Sequence, residues 1–479
     1  MNSRRSSKFL AGLVTSLILF SLFSNPALAA AGITTRVSVA SDGTQGNGHS
    51  YFHSISADGR YVAFESSASN LVNGDTNGAD DVFVHDRQTG QTTRVSVASD
   101  GSQGNESSGY PSISADGRYV AFNSGASNLV SGDTNGTNDV FVNDRQTGQT
   151  TLVSVDSDGS QGNSYSNYPS ISAEGRYIAF WSHASNLVSG DTNGTSDIFV
   201  HDRQTGQTEL VSVASDGSKG NNDSDYFSSI SADGRYVAFS SYSSNLVDGD
   251  TNSYLDVFVH DRQSGQTIRV SVASDGTQGN DESLYPSISA DGRYVAFTSF
   301  ASNLVSGDTN GAQDVFIHDR QTGQTTLVSV DSNGTQGNVS IEPSISADGR
   351  YVAFSSNFST PGASALDIFV HDRQSGQTTR ANVASDGTPG NEWSDCPAIS
   401  ADGRYVAFSS MANNLVSGDT NGHYDVFVHE NDIPFLDLPI QYTNFSAAAN
   451  GYYGGTGPAR VMSWFDHNTI GKDSNNLDG

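Results

Sequence analysis

One pattern of apolar and polar positions recurs seven times between residues 34 and 430. Its most visible part is Ser-Ile-Ser-Ala-Asp-Gly-Arg-Tyr-Val-Ala-Phe, and the acidic residue of this segment recurs every 54 to 59 residues. Apolar side chains alternate with polar ones inside each unit, which is the period of a β-strand. A near-constant period in this range is typical of a solenoid or of the blades of a propeller. The acidic positions are Asp58, Asp116, Glu174, Asp233, Asp291, Asp348 and Asp402.

Each unit predicts four short strands. In the first unit the pattern places them at 54–56, 60–66, 81–86 and 91–97. Asp58-Gly59 and the Gly90 turn suit tight hairpins, because glycine adopts the positive φ that such turns need. A four-stranded meander cannot bury both faces alone, whereas a ring of such sheets buries each one against its neighbours. The repeat therefore favours a propeller over a solenoid.

The two ends of the repeat array predict how the ring closes. The seventh unit stops after its third strand, at 425–430, and a single unpaired copy of the fourth strand stands at 34–39. We therefore predict an all-β, seven-bladed propeller of four-stranded antiparallel blades, in which the N-terminal strand completes the last blade. Six or eight blades would leave a strand unpaired or require a missing unit.

These repeats resemble the TolB-like, WD-like propeller repeats of exported bacterial proteins. The Ser-Ala-Asp-Gly-Arg-Tyr-Val-Ala-Phe segment and the following Asp-Val-Phe-Val-His-Asp strand carry the resemblance over residues 34–430. It implies the fold and leaves the function undetermined, since that family includes binding scaffolds and accessory domains of peptidases. Alanine stands where the family often has proline, and seven blades differ from the six of the Tol protein itself, so that protein's partners are not transferred.

Charge and the N-terminal segment limit the partners and the location. The net charge is −29, which disfavours nucleic acid and anionic membrane surfaces. Residues 1–30 have three basic residues, an apolar run and an Ala-Leu-Ala site, which together predict a signal peptide. We expect a monomeric protein that is secreted or periplasmic, with no membrane span and with a protein, peptide or glycan ligand. The single cysteine, Cys396, excludes an intrachain disulfide.

Residues present in every unit are interpreted as architectural. The arginines that follow the first tight turn and those that open the second are expected to pair with adjacent aspartates from blade to blade. The histidine of strand three is expected to form structural hydrogen bonds, because Asn143 replaces it in the second unit and asparagine is a poor metal ligand.

The Gly-Asp-Thr-Asn-Gly-x-x-Asp segment between strands two and three allows two interpretations. Its oxygens at relative positions 1, 3 and 7 resemble loops that bind Ca²⁺, the one cofactor that the sequence suggests. The alternative is a turn in which Asp and Asn side chains bond their own backbone. The sixth unit lacks the segment, and the fourth has Asp250, Asn252 and Asp256 with Ser253 in place of glycine. The candidate ligands are Asp75, Asn77 and Asp81; Asp133, Asn135 and Asp139; Asp191, Asn193 and Asp197; Asp308, Asn310 and Asp314; and Asp419, Asn421 and Asp425.

The loops that lead into strand one are expected to frame the mouth of the central channel. They vary between units and combine aromatic with acidic residues, which suits carbohydrate stacking or capture of a cationic or peptide ligand. Tyr110, Tyr168 and Tyr285 are expected instead to fill space between blades. The candidate ligand-binding residues are Tyr51, Glu106, Tyr165, Asp223, Tyr226, Asp281, Glu282, Glu392 and Trp393.

These observations predict an exported binding or scaffold module that is not an enzyme. No nucleophile elbow, zinc-binding helix motif or phosphate loop is present in the sequence. One alternative is a glycan-active hydrolase that uses the channel-mouth carboxylates. Another is the targeting domain of a truncated cell-wall peptidase, because residues 431–479 leave the repeat and faintly resemble the start of such a domain.

Overall fold

The computed structural model describes residues 32–358 and 365–431. They form seven four-stranded antiparallel sheets. No helix in these two ranges is long and apolar enough to cross a bilayer. The predicted signal peptide, 1–30, lies outside the described residues, and so does the tail, 431–479, apart from Asn431.

The strands follow the repeat. Blade 1 contains β2 (Ser50–Ile55), β3 (Tyr61–Ser66), β4 (Asp81–Asp86) and β5 (Gln91–Arg94). Blade 2 contains β6 (Ser108–Ile113), β7 (Tyr119–Ser124), β8 (Asp139–Asp144) and β9 (Gln149–Leu152). Blade 3 contains β10 (Ser166–Ile171), β11 (Tyr177–Ser182), β12 (Asp197–Asp202) and β13 (Gln207–Leu210). Blade 4 contains β14 (Ser224–Ile230), β15 (Tyr236–Ser241), β16 (Asp256–Asp261) and β17 (Gln266–Arg269).

The remaining blades continue the same order. Blade 5 contains β18 (Ser283–Ile288), β19 (Tyr294–Ser299), β20 (Asp314–Asp319) and β21 (Gln324–Leu327). Blade 6 contains β22 (Ser340–Ile345), β23 (Tyr351–Ser356), β24 (Asp367–Asp372) and β25 (Gln377–Arg380). Blade 7 contains β26 (Ser394–Ile399), β27 (Tyr405–Ser410), β28 (Asp425–Glu430) and β1 (Thr34–Arg36).

The predicted closure of the ring is confirmed. β1 pairs antiparallel with β28, and Thr34, Thr35 and Arg36 lie opposite His429, Val428 and Phe427. A circle of seven backbone hydrogen bonds also joins the blades beside the first tight turn. In this circle the amide of Ala57 donates to Ala115, each blade repeats the bond, and Ala401 donates back to Ala57, all at 2.9–3.0 Å.

The hydrophobic core is divided into seven clusters, and each one lies between two adjacent blades. The cluster between blades 1 and 2, for example, joins Val82 and Val84 of β4 to Val120 and Phe122 of β7. Val37, beyond β1, enters the cluster between blades 7 and 1. A blade thus has no core of its own, and each sheet depends on its neighbours for burial.

A tyrosine at the start of each second strand links neighbouring blades. Tyr61 lies between two arginines, with the guanidinium of Arg60 at 4.7 Å and that of Arg145 from blade 2 at 4.5 Å. The same ring packs on Gly117, where a Cβ atom would lie 2.1 Å from Tyr61 Cδ2 and φ is +73°. Glycine is therefore required in this turn for packing as well as for conformation.

The arginine prediction is correct within a blade and wrong between blades. Arg60 forms a bidentate pair with Asp86 of its own blade, at 2.9 and 2.7 Å. Arg87, from the second set, donates to the carbonyl of Gly59 and lies 4.5 Å from the ring of Tyr405 in blade 7. These arginines therefore contact the neighbouring blade through a tyrosine ring, and in blade 4 Arg262 also pairs with Glu209 of blade 3.

Strand three carries the predicted structural hydrogen bond. Nδ1 of His85 lies 2.9 Å from Oγ1 of Thr92, and the amide of Asn143 replaces it at 3.0 Å from Thr150 in blade 2.

The tight turns share one face of the ring. The connections from strand two to three and from strand four to the next blade share the other, which we call the long-loop face.

Closure by β1 predicts a specific effect of N-terminal truncation. Removal of residues 1–31 should leave the melting temperature almost unchanged, because β1 remains. Removal of 1–39 also deletes β1 and Val37, so β28 becomes an unpaired edge and one interblade cluster loses a buried side chain. Hydrogen exchange measured by mass spectrometry should then increase across 425–430 and much less across 139–144, the equivalent strand of blade 2. Equal protection of 425–430 in both truncated proteins would contradict the closure.

Candidate ligand-binding site

The innermost strand of each blade is longer than the sequence predicts and contains a bulge. In blade 1 it runs from Ser50, and its pairing with β3 is irregular between Tyr51 and His53. In six blades the residue at the bulge has a positive φ of 38–56° without being glycine. This conformation costs on the order of 1–3 kcal/mol per residue and is often found at functional sites. The six residues are Phe52, Tyr110, Tyr168, Tyr285, Glu342 and Cys396.

These bulges line a cavity on the axis of the ring. The cavity has a volume of about 370 Å³, and every lining residue belongs to an innermost strand. Five of the side chains are aromatic and form an unbroken arc. The ring centroids are 4.2 Å apart for Phe52 and Tyr110, 4.5 Å for Tyr110 and Tyr168, 5.0 Å for Tyr168 and Phe227, and 5.1 Å for Phe227 and Tyr285. Glu342 and Cys396 complete the circle.

The aromatic arc continues outward to the long-loop face at blades 3 and 4. Tyr168 lies 5.3 Å from Tyr226, which lies 4.9 Å from Trp181, and Trp181 stacks on Tyr165 at 5.3 Å. The indole of Trp181 is fixed because its N–H donates to the carbonyl of Ser224. Tyr165 and Tyr226 are exposed. A continuous aromatic surface therefore runs from the axis to solvent, and we call it the aromatic track.

Acidic groups stand beside the aromatic residues of the cavity. Glu342 accepts the backbone N–H of Cys396 at 3.1 Å, and burial raises the pKa of its carboxyl. Burial, with the neighbouring Glu342, raises the pKa of Asp395 to about 7. Burial also raises the pKa of Glu65 to about 8, although the amide of Tyr110, 3.1 Å away, opposes this. Among the described residues, no lysine or arginine lines the cavity.

The predicted mouth residues lie at different places in the structure. Tyr165 and Tyr226 belong to the aromatic track, and Tyr51 contacts the ring of Phe52 at 5.1 Å. Glu106, Glu392 and Trp393 are exposed on the long-loop face. Asp223 accepts two hydrogen bonds from Ser196, and Asp281 accepts one from the amide of Glu282. None of the nine predicted residues lines the axial cavity.

The residues that line the cavity are instead ones predicted to fill space between blades, or ones outside the predicted ligand-binding set. Tyr110, Tyr168 and Tyr285 line the cavity rather than only filling space between blades. In five blades the bulge residue stands directly before a proline, as in Glu342-Pro343. This repeated residue before proline, of varying type, was the signal that could have identified the cavity.

The geometry of the Asp-Thr-Asn-Gly loops matches the turn interpretation. The side-chain oxygen of Asn77 accepts the amide of Ala79 at 3.0 Å. The two carboxylates, Asp75 and Asp81, accept hydrogen bonds from the Gln103 amide at 2.8 and 2.9 Å. Arg94 lies 3.5 and 3.3 Å from the same two groups.

Side chains of the protein thus occupy the place of a cation in this loop. Arginines approach the equivalent pairs in blades 4 and 7, where Arg269 meets Asp250 and Asp256 and Arg36 meets Asp419 and Asp425. Within the described ranges no group of three or more His, Cys, Asp or Glu side chains is placed to hold a metal ion. The structure therefore does not support Ca²⁺ binding as a property shared by all of these loops.

The buried Glu65 predicts a pH-dependent term in stability. Its pKa in the folded protein, about 8, is above the value of 4.5 for an unperturbed glutamate. The contribution of Glu65 is therefore complete below about pH 4.5 and is lost as the pH rises through 8, by on the order of a few kcal/mol. Glu65→Gln removes the ionisation and should become more stable than the wild type as the pH rises. Melting temperatures from pH 5 to 9 test this, with exposed Glu106→Gln as the control. A constant difference between E65Q and wild type would contradict the assignment.

Solved structures with a similar fold include an oligogalacturonate lyase in complex with manganese. It is 12% identical, with a TM-score of 0.51 over 83% of this chain and 92% of that one. The β-propeller domain of the Trilobed protease from Pyrococcus furiosus is 11% identical, with a TM-score of 0.49 over 82% and 98%. TolB from Acinetobacter baumannii is 16% identical, with a TM-score of 0.38 over 78% and 81%. No family model and no curated protein matches the chain.

The comparison corrects one expectation from the sequence. The sequence predicts a protein that is not an enzyme, but a solved structure of similar fold is an oligogalacturonate lyase. The missing sequence motifs therefore give no ground for excluding catalysis. At this identity the likeness establishes the propeller fold, and the chemistry must be argued from the site itself.

Proposed function

We propose that the protein is an exported binding module that takes a neutral or cationic glycan at the long-loop face and along the aromatic track. The observation that carries this proposal is the aromatic track, which connects the axial cavity with the exposed rings of Tyr165 and Tyr226. Export rests on the predicted signal peptide. A single ring suffices for this site, so a monomer is proposed.

The distribution of exposed apolar side chains supports a ligand on this face. Nine large apolar side chains are exposed in the described ranges, and seven of them lie on or beside the long-loop face. Exposed aromatic residues near polar groups are typical of binding surfaces. The seven are Tyr165, Tyr226, Tyr242, Tyr254, Phe300, Trp393 and Met411.

Charge narrows the class of glycan. Glu342 lines the cavity, Asp395 adjoins it, and the part of the chain that the structure describes places no basic side chain there to pair with an anionic sugar. Oligogalacturonate carries a carboxylate on each sugar, so this site would repel the ligand named for the lyase. Neutral sugars can stack on the rings, and amino sugars gain attraction from the carboxylates. Protein and peptide ligands are the alternatives that a binding screen would reveal.

Removal of one exposed ring from the track should weaken binding. Tyr226→Ala is expected to raise the dissociation constant about threefold to tenfold, the loss of about 0.5–1.5 kcal/mol for an aromatic contact. Tyr254→Ala, on the same face outside the track, is the matched control and should bind as the wild type does. Titration calorimetry with neutral oligosaccharides, chitosan oligomers and oligogalacturonate measures both effects. Preferred binding of oligogalacturonate, or equal loss in both variants, would refute the proposal.

A glycan-cleaving activity at the same site is the second candidate. The observation that favours it is the pair Asp395 and Glu342, because a carboxyl with a pKa of about 7 can donate a proton near neutral pH. Asp395→Asn should then abolish product release from the oligosaccharides that bind, and Asp402→Asn, in the tight turn of the same blade, should retain it. Product release that is equal in both variants would exclude Asp395 as proton donor.

A further inference from the structure

The carboxylate pair of each Asp-Thr-Asn-Gly loop is neutralised differently from blade to blade. Where the outer strand ends in arginine, the guanidinium lies beside the carboxylates, as Arg36, Arg94 and Arg269 do. In blade 3 the outer strand ends in Leu210, and Lys219 lies 4.0 Å from Asp191 instead. Four of the six loops therefore have a basic side chain of the protein beside their carboxylates. Blades 2 and 5 end in Leu152 and Leu327 and supply none.

Blade 2 compensates with neutral donors. Gln161 donates to Asp133 and Asp139, both at 2.7 Å, and Asn135 donates to Asp139 at 2.8 Å. Both carboxylates of this loop thus have close partners.

Blade 5 does not compensate in this way. Gln336 reaches only Asp308, at 3.2 Å, and the amide of Asn310 donates to the carbonyl of Gly337. Asp314 is fully buried, and its Oδ1 accepts the hydroxyl of Ser329 at 2.6 Å, but no donor lies within hydrogen-bond distance of its Oδ2. The nearby amide of Asn310 only partly offsets the effect of burial on the pKa of this carboxyl. In blades 1, 2, 4 and 7 the equivalent Oδ2 atom faces the donors that neutralise the pair. A buried carboxylate oxygen without a partner is costly.

We propose that blade 5 binds one Ca²⁺ ion between Asp308 and Asp314, at the position that a basic side chain of the protein takes in other blades. Ca²⁺ prefers oxygen ligands, and Thr309, Asn310 and Gln336 carry side-chain oxygens in the same loops. The amide N–H of Gln336 now donates to Asp308, and this amide would turn so that its oxygen faces the ion. Leu327, Thr309, Asn310 and Gln336 line an open depression beside these loops.

Two carboxylates and a few neutral oxygens give a weak site, with a dissociation constant on the order of 10⁻⁴ to 10⁻³ M, as in extracellular Ca²⁺-binding modules. Burial raises the pKa of Asp314 to about 6, so binding should be measured at pH 7.5, where the carboxylate is ionised. This inference does not depend on the glycan proposal, since the loop of blade 5 is separate from the cavity-lining strands.

Thermal melting of the chelator-treated protein tests the site. Ca²⁺ up to 10 mM should raise the melting temperature of the wild type saturably, by about 1–3 °C, whereas NaCl of equal ionic strength should not. Leu327→Arg should lose the response, because its guanidinium takes the place of the ion as Arg269 does in blade 4. Leu152→Arg is the matched control in blade 2 and should keep the response. Asp308→Asn, at a half-buried position, should also lose it.

Each contrary result overturns the proposal. No Ca²⁺ response in the wild type would mean that Asp314 stays protonated or unpaired. A response that persists in L327R and D308N, or one that disappears equally in L152R, would place any bound ion outside blade 5. An equal response to NaCl would exclude a divalent site.

Discussion

Each blade of this protein depends on the next one, because the hydrophobic core exists only between blades. The seven clusters, the circle of alanine backbone hydrogen bonds and the tyrosine between two arginines all cross from one sheet to its neighbour. An open array of such sheets would expose one apolar face at each end. Closure by β1 is therefore the constraint on which the fold depends, and it also brings seven innermost strands around one axis. A ring held in this way can tolerate variation on its axis and on its long-loop face.

Much of the fold could be predicted because its causes are local and repeated seven times. The alternation of apolar and polar residues predicted the strands, the glycines predicted the turns, and the unpaired strand at 34–39 predicted the closure of the ring. The cavity could not be found in the same way, because one bulge residue changes which side chain of a strand faces the axis. The sequence therefore indicated Tyr51 and Asp223 in the entering loops, whereas Tyr110 and Glu342 line the cavity.

The acidic loops show why a local motif is an incomplete guide to metal binding. Asp75, Asn77 and Asp81 have the spacing of oxygen ligands, but the groups that neutralise them lie elsewhere in the chain. Arg94 is at the end of the outer strand, and Gln103 is in the connection to the next blade. Only the folded ring places these groups together. Comparison between blades is then more informative than the motif, because a change from arginine to leucine alters the charge balance of an otherwise constant site.

Two costs coincide at the axis, and both support the proposal that the ligand binds there. Six non-glycine residues hold positive φ angles, at a total cost on the order of 10 kcal/mol. Carboxyl groups beside them are partly buried and have raised pKa values, as in Glu342 and Asp395. Interblade packing can offset both costs, but packing alone requires neither a glutamate nor a tyrosine at a left-handed position. A ligand that stacks on the rings and donates hydrogen bonds to the carboxylates would recover part of this free energy. The backbone strain and the carboxyl groups with raised pKa values therefore both predict that a ligand binds at the axis.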